Sequence, residues 1–320
     1  MKEHPSIAII GAGLAGIALA QELKGFAKVT LFEKSRGVGG RMSNRRHDLA
    51  RFDHGAQFFT ARSKEFRTAI SAALELKSIE EWTPKILTLE ANQEPYKREW
   101  FEPHFRGASG MNSLAKTLAK DLSIQTGVEV KALSSESSGW VIEDQSGCQS
   151  SHFDWVVCSA PAPQATNLLP DQFLHKEKLK DAVFSACFAL MLGFDTPLNL
   201  NFEAAVIKNP VLAWLSLHNQ TSLLVHSQNH WASDNVESDL KWVESEMLGA
   251  LENLMPEIPK PNHQSLHRWR FARCETPLET DFLLDTENRL AAVGDWCRGN
   301  RVEDAFLSGY KLGQWFKNSH

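Results

Sequence analysis

The chain has 320 residues, of which 42% are hydrophobic and 23% are charged, and its formal net charge is −5. This composition is typical of a folded globular protein, and the slight negative charge excludes a general attraction to nucleic acid or to an anionic membrane. No apolar stretch is long enough to span a bilayer. From this and from the net charge we expect neither a membrane nor a nucleic-acid partner. Nothing in the sequence indicates a protein partner.

The five cysteines favour neither a disulfide framework nor a zinc site, because their number is odd and no C-x-x-C pair occurs. We expect buried thiols in a reducing compartment, the cytoplasm, and no metal site. The apolar stretch "SIAIIGAGLAGIALA" (6–20) is similar to a secretory signal. Cleavage there would destroy a complete glycine motif, so we predict that the stretch is retained.

The chain begins with a predicted β-α-β unit, in which "SIAII" (6–10) and "KVTLFEK" (28–34) are strands and "LAGIALAQEL" (14–23) is a helix. Two parallel strands joined by a helix require a right-handed crossover in a parallel sheet. The N-terminal part of the chain is therefore predicted to have an α/β fold.

The motif "GAGLAG" connects the first strand to the helix and fits G-x-G-x-x-G. Gly11 makes the tight turn, Gly13 allows the backbone to approach a pyrophosphate, and Gly16 allows the helix to pack closely on the strand. Ala12 and Ala15 belong to the same turn, where free N–H groups and the helix dipole attract phosphate. The context thus indicates a dinucleotide site.

Glu33 ends the second strand, seventeen residues after the last glycine of the motif. An acid at this place accepts hydrogen bonds from the ribose hydroxyls of a dinucleotide. The alternative is an ordinary tight β-turn-α connection with a solvent-facing glutamate. The motif does not distinguish NAD from FAD.

Later elements extend this domain. Apolar spacing predicts a helix over 111–122, and strands are predicted over 128–133, 139–144 and 153–160 as an antiparallel meander. A strand is expected over 289–296 and a helix over 302–316. We therefore predict a nucleotide-binding domain built from residues 1–65, 104–162 and 281–320, with a substrate domain built from residues 66–103 and 163–280.

The stretch "RGVGGRMS" (36–43) resembles the second glycine motif of the flavoproteins that include amine oxidases, phytoene desaturases and renalases. Further segments, "DHGAQFFTAR" (53–62), "GVEV" (127–130) and "GDWCRGNRVEDAF" (294–306), resemble the renalase family, particularly its bacterial members, in order along nearly the whole chain. The resemblance implies noncovalent FAD in a Rossmann-type domain. It also implies an inserted α+β substrate domain, a two-domain architecture similar to p-hydroxybenzoate hydroxylase.

The resemblance also implies which residues contact the cofactor. Arg41 would add a bidentate cation to the pyrophosphate, Asp295 would accept from the ribityl hydroxyls, and the helix starting at Val302 would point its N-terminus at the flavin. For Asp295 a simple strand-end turn is an equally good interpretation, and Glu303 and Asp304 could merely stabilise their own helix. The full predicted set is Gly11, Ala12, Gly13, Ala15, Gly16, Glu33, Lys34, Gly40, Arg41, Met42, Gln57, Phe58, Val128, Asp295 and Val302.

Family members are implied to oxidise the 2- or 6-dihydro isomers of NAD(P)H to NAD(P)+. Hydride passes to flavin N5, and O2 is reduced to hydrogen peroxide. A dihydropyridine gains aromaticity when it loses hydride, so no acid or base is assigned as catalytic. The alternatives are a flavin amine oxidase or dehydrogenase and a non-catalytic dinucleotide-binding protein. With only Tyr96 and Tyr310 in the chain, a cage of two tyrosines around an amine is not expected, although Trp or Phe could substitute.

The residues expected to contact the substrate are flat or basic side chains, namely His54, Gln57, Trp214, His226, Trp269 and Arg270. Flat rings could sandwich a nicotinamide, and a cation could meet its amide or a phosphate. The alternative is that the tryptophans belong to the core and the histidines are satisfied or exposed. His263 and His267 are spaced as metal ligands on a helix can be, but no third ligand is suggested nearby.

Overall fold

A computed structural model of the chain describes residues 4–47, 50–97, 99 and 101–319. Its helices are α1 (Leu14–Glu22), α2 (Lys64–Glu75), α3 (Asn112–Leu118), α4 (Ala162–Leu168), α5 (Asn229–Asp234), α6 (Leu240–Leu254), α7 (Asp295–Arg298) and α8 (Val302–Ser319), with short 3-10 turns at Gly40–Met42 and Lys178–Asp181. Its strands are β1 (Ser6–Ile10), β2 (Lys28–Glu33), β3 (Arg45–His47), β4 (Ala50–Phe52), β5 (Ile79–Trp82), β6 (Ile86–Glu90), β7 (Tyr96–Lys97), β8 (His104–Gly107), β9 (Ile124–Thr126), β10 (Val130–Glu136), β11 (Gly139–Asp144), β12 (Trp155–Cys158), β13 (Val183–Gly193), β14 (Ala204–Lys208), β15 (Leu212–Asn219), β16 (Ser222–Ser227), β17 (His263–Thr276), β18 (Leu283–Asp285) and β19 (Leu290–Ala292).

The first large sheet has six strands in the order β18-β19-β12-β1-β2-β9. Each neighbouring pair is parallel except β18 with β19, and Ile9 of β1 lies opposite Leu31 of β2. Ile7 and Ile9 pack on the side of α1 and α8, whereas Ala8 and Ile10 pack on the side of β10 and β11. Since both faces of a parallel sheet must be covered, β1 is apolar from Ile7 to Ile10. The predicted β-α-β unit is confirmed.

The C-terminal helix α8 packs closely against α1, the helix that follows the first glycine motif. A Cβ built on Gly309 would lie 2.0 Å from the carbonyl oxygen of Ala15, so only glycine allows the two backbones to approach this closely. The predicted C-terminal helix is confirmed and extends to Ser319. The two ends of the chain therefore pack against each other.

The second large sheet has seven strands in the order β17-β13-β16-β15-β14-β6-β7. Alternate residues of its strands form an apolar outer face, where Phe188 and Val225 join Val243 and Met247 of α6 in one core. The other residues form an inner face that packs against Phe52 of β4. This inner face carries Trp214, His226 and Trp269.

The predicted three-stranded meander is wrong in its third strand. Strands β10 and β11 form the expected antiparallel pair, but β12 lies between β1 and β19 and pairs parallel with both. Two isolated bridges, Trp140 with Phe153 and Glu143 with Gln149, link β11 to the segment before β12. Residues 155–158 are buried without alternation, which is the pattern of a central parallel strand and not of a meander.

Two other predicted elements are shorter than expected. Helix α3 ends at Leu118, and Asp121 adopts a left-handed backbone conformation with φ 65°. Strand β19 ends at Ala292, because the chain turns at Gly294 and α7 begins at Asp295. The division into two domains stays a prediction. Within segment 66–103, α2 packs in one core with Leu14 and Phe306, whereas β6 and β7 belong to the second sheet.

Candidate functional site

The first glycine turn leaves the N-terminus of α1 open. Gly13 is the N-cap residue, no side chain caps the helix, and a Cβ built on Gly13 would meet nothing within 4 Å. Gly11 has φ 104°, and a Cβ on Gly16 would lie 2.3 Å from the carbonyl oxygen of Gly11. Gly11 and Gly16 thus serve the fold, whereas Gly13 leaves room for a ligand beside free N–H groups.

The Glu33 carboxylate lies beside this turn and is only 6% exposed. One oxygen accepts from the backbone N–H of Ala12 at 2.8 Å, and the other accepts from the N–H of Ser35 at 2.8 Å. These two bonds hold the carboxylate in one orientation and leave lone pairs on both oxygens for further donors. The site can therefore accept ribose hydroxyls, and the alternative of a solvent-facing glutamate does not describe this residue.

The second glycine turn lies directly on the first. The N–H of Gly39 donates to the carbonyl oxygen of Ala12 at 2.9 Å, and a Cβ on Gly40 would lie 3.5 Å from the Cα of Gly13. Gly39 and Gly40 have φ of 116° and 53°, values that favour glycine. Met42 is buried beneath the turn. The two glycine turns together form a cradle of backbone at the start of α1, which fits a pyrophosphate.

Arg41 and Asp295, predicted to contact different parts of one cofactor, contact each other. The Arg41 guanidinium donates to both carboxylate oxygens of Asp295, at 2.5 and 2.9 Å. The Asp295 side chain is 6% exposed, so the ion pair neutralises a buried charge. Arg41 also donates to the carbonyl of Ala272 at 3.3 Å, which ties the second glycine turn to β17.

The remaining predicted cofactor residues lie around this cradle. Val128 lies beside the end of β2, where its N–H donates to the carbonyl of Glu33 at 3.0 Å. Lys34 is an exposed residue just after β2. Val302 begins α8, where Asp304 accepts from the N–H of Arg301 at 3.0 Å and so caps its own helix. Glu303 does not cap α8.

Glu303 instead reaches the segment that follows the predicted flavin-contacting residues. Its carboxylate is 5% exposed and accepts from the N–H of Ser63 at 2.6 Å and from the N–H of Arg62 at 3.1 and 3.2 Å. These bonds connect α8 to the loop that carries Gln57 and Phe58. The loop is thereby fixed between the C-terminal helix and the second sheet.

Gln57 is held by side chains of β15 and β16. Its amide oxygen accepts from the indole N–H of Trp214 at 2.5 Å and from the hydroxyl of Ser216. Because the indole N–H can only donate, the oxygen of the amide must face Trp214, and the amide nitrogen faces His226 at 3.3 Å. The structure thus brings three of the predicted substrate residues into one hydrogen-bond network.

His54 joins the same network through its backbone. Its carbonyl oxygen accepts from the ring Nε2 of His226 at 3.1 Å and from the indole N–H of Trp269 at 2.8 Å. A carbonyl cannot donate, so His226 carries its proton on Nε2 and accepts from Gln57 on Nδ1. The His54 ring stacks on Trp269 with centroids 5.2 Å apart. We define the clamp as His54, Gln57, Trp214, Ser216, His226 and Trp269.

Burial keeps the histidines of this region neutral at pH 7. It lowers the pKa of His54 to about 3 and that of His226 to about 4. The pKa of His267, whose ring lies edge-on to His54 at 4.9 Å, is also lowered by burial, to about 4. The nearby guanidinium of Arg45 lowers the pKa values of His54 and His267 further. The clamp is therefore flat, polar and uncharged.

Two predicted residues have a different environment. Arg270 follows Trp269 on β17, so its side chain lies on the opposite face, where it pairs with Glu237. It is not part of the clamp.

Phe58 lies in an aromatic group with Trp82, His104 and Trp214, at centroid distances of 5.6, 5.0 and 5.8 Å. This ring therefore packs between the loop and the second sheet.

Two residues of the region, Ser216 and Trp82, were not singled out from the sequence, and His267 was considered only as a metal ligand. Ser216 lies two residues after Trp214, and His267 lies two residues before Trp269, so strand alternation could have placed them on the inner face. Trp82 lies on a separate short strand that pairs with β8, and no sequence signal connects it with Phe58. His263 and His267 lie on a strand, not on a helix.

The two tyrosines lie away from the clamp. Tyr96 is exposed on β7 near Lys208, and Tyr310 stacks on Phe306 within α8. Cys297 is buried, which raises the pKa of its thiol, and Cys148 is the exposed cysteine. Among the described residues, no group of three or more metal-ligating side chains occurs, and no helix there combines the length and apolarity needed to cross a membrane.

Comparisons with known proteins agree with this geometry. The family model for flavin containing amine oxidoreductases matches residues 96–312, and the model for an NAD(P)-binding Rossmann-like domain matches residues 9–72. Renalase from Mus musculus is 22% identical over 297 residues, which cover 83% of this chain and 84% of the mouse protein. The resemblance to renalases is confirmed.

Two solved structures share the fold. One is a protein from Exiguobacterium sp. 255-15, provisionally assigned as a protoporphyrinogen oxidase, with a TM-score of 0.77 at 13% identity over 100% of both chains. The other is a triple mutant of putrescine oxidase with redesigned cofactor binding, with a TM-score of 0.72 at 12% identity over 99% of both chains. The α/β fold and FAD as the cofactor are confirmed, and the chain is a FAD-dependent oxidoreductase related to renalase.

Proposed function

Because the chain belongs to the flavin containing amine oxidoreductase family, we propose that it is a renalase-type oxidase that converts the 2- or 6-dihydro isomers of NAD(P)H to NAD(P)+. FAD accepts the hydride when bound, and dioxygen with one further proton takes up the two electrons to give hydrogen peroxide. The residues of this chain bind and orient the dinucleotide.

The residues proposed to hold FAD are those of the glycine cradle and its surroundings. The N–H groups at the start of α1 and the turn at Gly40 would bind the pyrophosphate, and Glu33 would bind the ribose. Asp295 would face the ribityl chain with Arg41 as its counter-ion. Because Cys297 is buried and its thiol pKa is raised, we propose that FAD binds noncovalently.

The observation that carries the proposal is the uncharged clamp on the inner face of the second sheet. The clamp contains two indoles, an amide, a hydroxyl and two neutral imidazoles, and none of its members is a carboxylate. Such a surface suits a flat, neutral dihydropyridine, which can stack on rings and hydrogen-bond through its carboxamide. A protonated amine there would lose its hydration without gaining a counter-charge.

The positions of the tyrosines also disfavour an amine substrate. The chain has two tyrosines, and the structure places one on the exposed strand β7 and the other in α8. Neither contacts the clamp, so the two-tyrosine cage expected of an amine oxidase is not formed. The clamp also offers no general base, and a dihydropyridine does not require one, because hydride loss restores its aromaticity. Orientation by Gln57 and His226 is then the main contribution of the protein.

Anaerobic reduction tests this function. The FAD-loaded protein is mixed with 2-dihydro-NAD(P), with 6-dihydro-NAD(P) and with a series of primary and secondary amines, while the flavin absorbance is followed. We expect rapid bleaching by at least one dihydro isomer, stoichiometric release of NAD(P)+, and hydrogen peroxide once air is admitted. Bleaching by amines alone would support an amine oxidase, and no bleaching by either class would support a non-catalytic dinucleotide-binding protein.

A further inference from the structure

A continuous path of rings leads from the clamp to an exposed, basic hairpin. The buried His54 ring contacts Trp269 and His267, and the Nδ1 atom of His267 accepts from the Arg45 guanidinium at 3.4 Å. Next to Arg45 on the same face of β3, His47 stacks on His263 of β17 with centroids 3.7 Å apart. Exposure rises along this path, from the buried His54 to the exposed Arg45 and His47.

The hairpin at the end of this path carries excess positive charge. Between residues 45 and 51 the sequence has three arginines and one aspartate, Asp48, which lies outside the described residues. Arg46 and Arg51 lie opposite each other in the register of β3 and β4, an arrangement that costs free energy because like charges repel. No carboxylate of the described residues lies within 4.0 Å of Arg45, so its guanidinium retains unused donors.

The electrostatic surroundings of the path are also positive. Besides burial, the Arg45 guanidinium lowers the pKa values of His54, His263 and His267. An anion placed here would relieve this repulsion. A guanidinium beside imidazole N–H donors is a favourable partner for phosphate oxygens.

We propose that Arg45, His47, His263 and His267 form an anion subsite that binds the diphosphate of the dinucleotide substrate. This inference rests on the proposed function, because the nicotinamide at the clamp determines which part of the substrate reaches the hairpin. The ring path separates the clamp from the subsite, and the nucleoside that joins the nicotinamide to the diphosphate would lie along it. The subsite would thus select dinucleotides over smaller dihydronicotinamides.

The matched pair of variants is Arg45→Gln and Arg46→Gln. Both remove one exposed charge from β3, but Arg45 faces β17 whereas Arg46 faces the opposite side. With the FAD-loaded protein, calorimetry measures the binding of ADP-ribose, which carries the diphosphate without the reactive ring. We expect Arg45→Gln to raise the Kd for ADP-ribose about tenfold and Arg46→Gln to change it less than twofold. The difference should shrink as salt is added.

Stopped-flow reduction supplies the second readout. Arg45→Gln should raise the half-saturating concentration of the dihydro dinucleotide without changing the limiting rate of flavin reduction. It should not affect dihydronicotinamide riboside, which has no phosphate, and Arg45→Lys should restore part of the loss. Equal effects of the two glutamine variants on ADP-ribose binding would overturn the subsite, as would equal half-saturation by dinucleotide and riboside in the unaltered protein.

These experiments separate the subsite from the proposed function. If ADP-ribose binds in an Arg45-dependent manner but no dihydronicotinamide bleaches the flavin, the subsite stands and the proposed function fails. If the dihydronicotinamides bleach the flavin and ADP-ribose binding is independent of Arg45, the proposed function stands and the subsite fails. His263→Gln provides a second variant, on β17 and not on the hairpin, and should raise the Kd for ADP-ribose in the same direction.

Discussion

At the scale of single residues, the ion pair between Arg41 and Asp295 is the contact of the site whose loss should lower stability most. We predict that Arg41→Ala lowers the free energy of unfolding by about 3–5 kcal/mol, because it leaves the 6% exposed carboxylate without a counter-ion. Urea unfolding of the apoprotein measures this loss separately from any loss of FAD. The same variant should also be purified with less flavin, which the ratio of flavin to protein absorbance reports.

A double-mutant cycle with Asp295→Asn tests the electrostatic cause. The double variant should be more stable than Arg41→Ala alone, because no unpaired charge remains buried. Arg36→Ala is the control, since Arg36 is an exposed arginine of the same glycine turn. If Arg41→Ala and Arg36→Ala were equally stable and equally loaded with FAD, the proposed role of Arg41 would be refuted.

Two buried serines of the second sheet test the clamp. Ser216 donates to Gln57, whereas the hydroxyl of Ser222 on the adjacent strand has no partner among the described residues. We predict that Ser216→Ala costs about 1 kcal/mol of stability and slows flavin reduction by the dihydronicotinamide several-fold, because Gln57 loses one of its restraints. Ser222→Ala should be neutral in both measurements. Equal reduction rates for the two variants would show that Gln57 does not need Ser216.

The position of a candidate site residue is easier to predict from the sequence where a backbone turn fixes it. It is harder to predict where side chains from distant elements meet. Gly13, Gly40 and Glu33 lie where the motifs place them, because a glycine requirement and a fixed spacing are local properties. Arg270 illustrates the limit. A one-residue difference in strand phase decides whether it faces the clamp or Glu237, and β17 is also bulged, with Ser185 and Cys187 of β13 opposite Arg273 and Trp269.

At the scale of elements, the turn before α1 has separate requirements for folding and for binding. We predict that Gly16→Ala destabilises the protein by several kcal/mol, because the new methyl group would lie 2.3 Å from the carbonyl oxygen of Gly11. Gly13→Ala should leave the free energy of unfolding of the apoprotein nearly unchanged, since nothing lies within 4 Å of the added Cβ and φ is −72°. It should nevertheless weaken FAD binding, because the methyl group projects toward the cradle.

Thermal unfolding and FAD titration of the two glycine variants separate these effects. A Gly13→Ala apoprotein as unstable as Gly16→Ala would contradict the division of roles.

The fold around this turn is predictable for a related physical reason. Strand β1, helix α1 and strand β2 interact with their immediate neighbours in sequence, whereas β12 enters the same sheet from more than a hundred residues away. Its place between β1 and β19 depends on long-range pairing, which local patterns do not encode.

At the scale of the whole molecule, the clamp joins the loop after β4 to the second sheet through buried, uncharged histidines, and this makes stability depend on pH. His54, His226 and His267 have pKa values of about 3, 4 and 4 in the folded protein, against 6.5 as the ordinary value. Above pH 6.5 these histidines are neutral in both the folded and the unfolded protein and do not change the free energy of unfolding. As the pH falls below 6.5, these histidines become protonated in the unfolded chain but stay neutral in the folded protein. The free energy of unfolding therefore decreases.

We predict a nearly flat stability profile from pH 8 to 7 and a decline between pH 6.5 and 5, with each such histidine contributing at most about 1.4 kcal/mol per pH unit. In this window the carboxylates with lowered pKa values, such as Asp154 and Asp285, are charged in both states and do not contribute.

The measurement is urea unfolding of the apoprotein at half-unit pH intervals. Because burial is the largest cause of each shift, the slope should persist in 0.5 M salt, whereas a slope from surface charges would be screened. His226→Gln should remove about one proton from the linkage, and an unchanged slope in that variant would show that His226 is not held neutral in the folded protein.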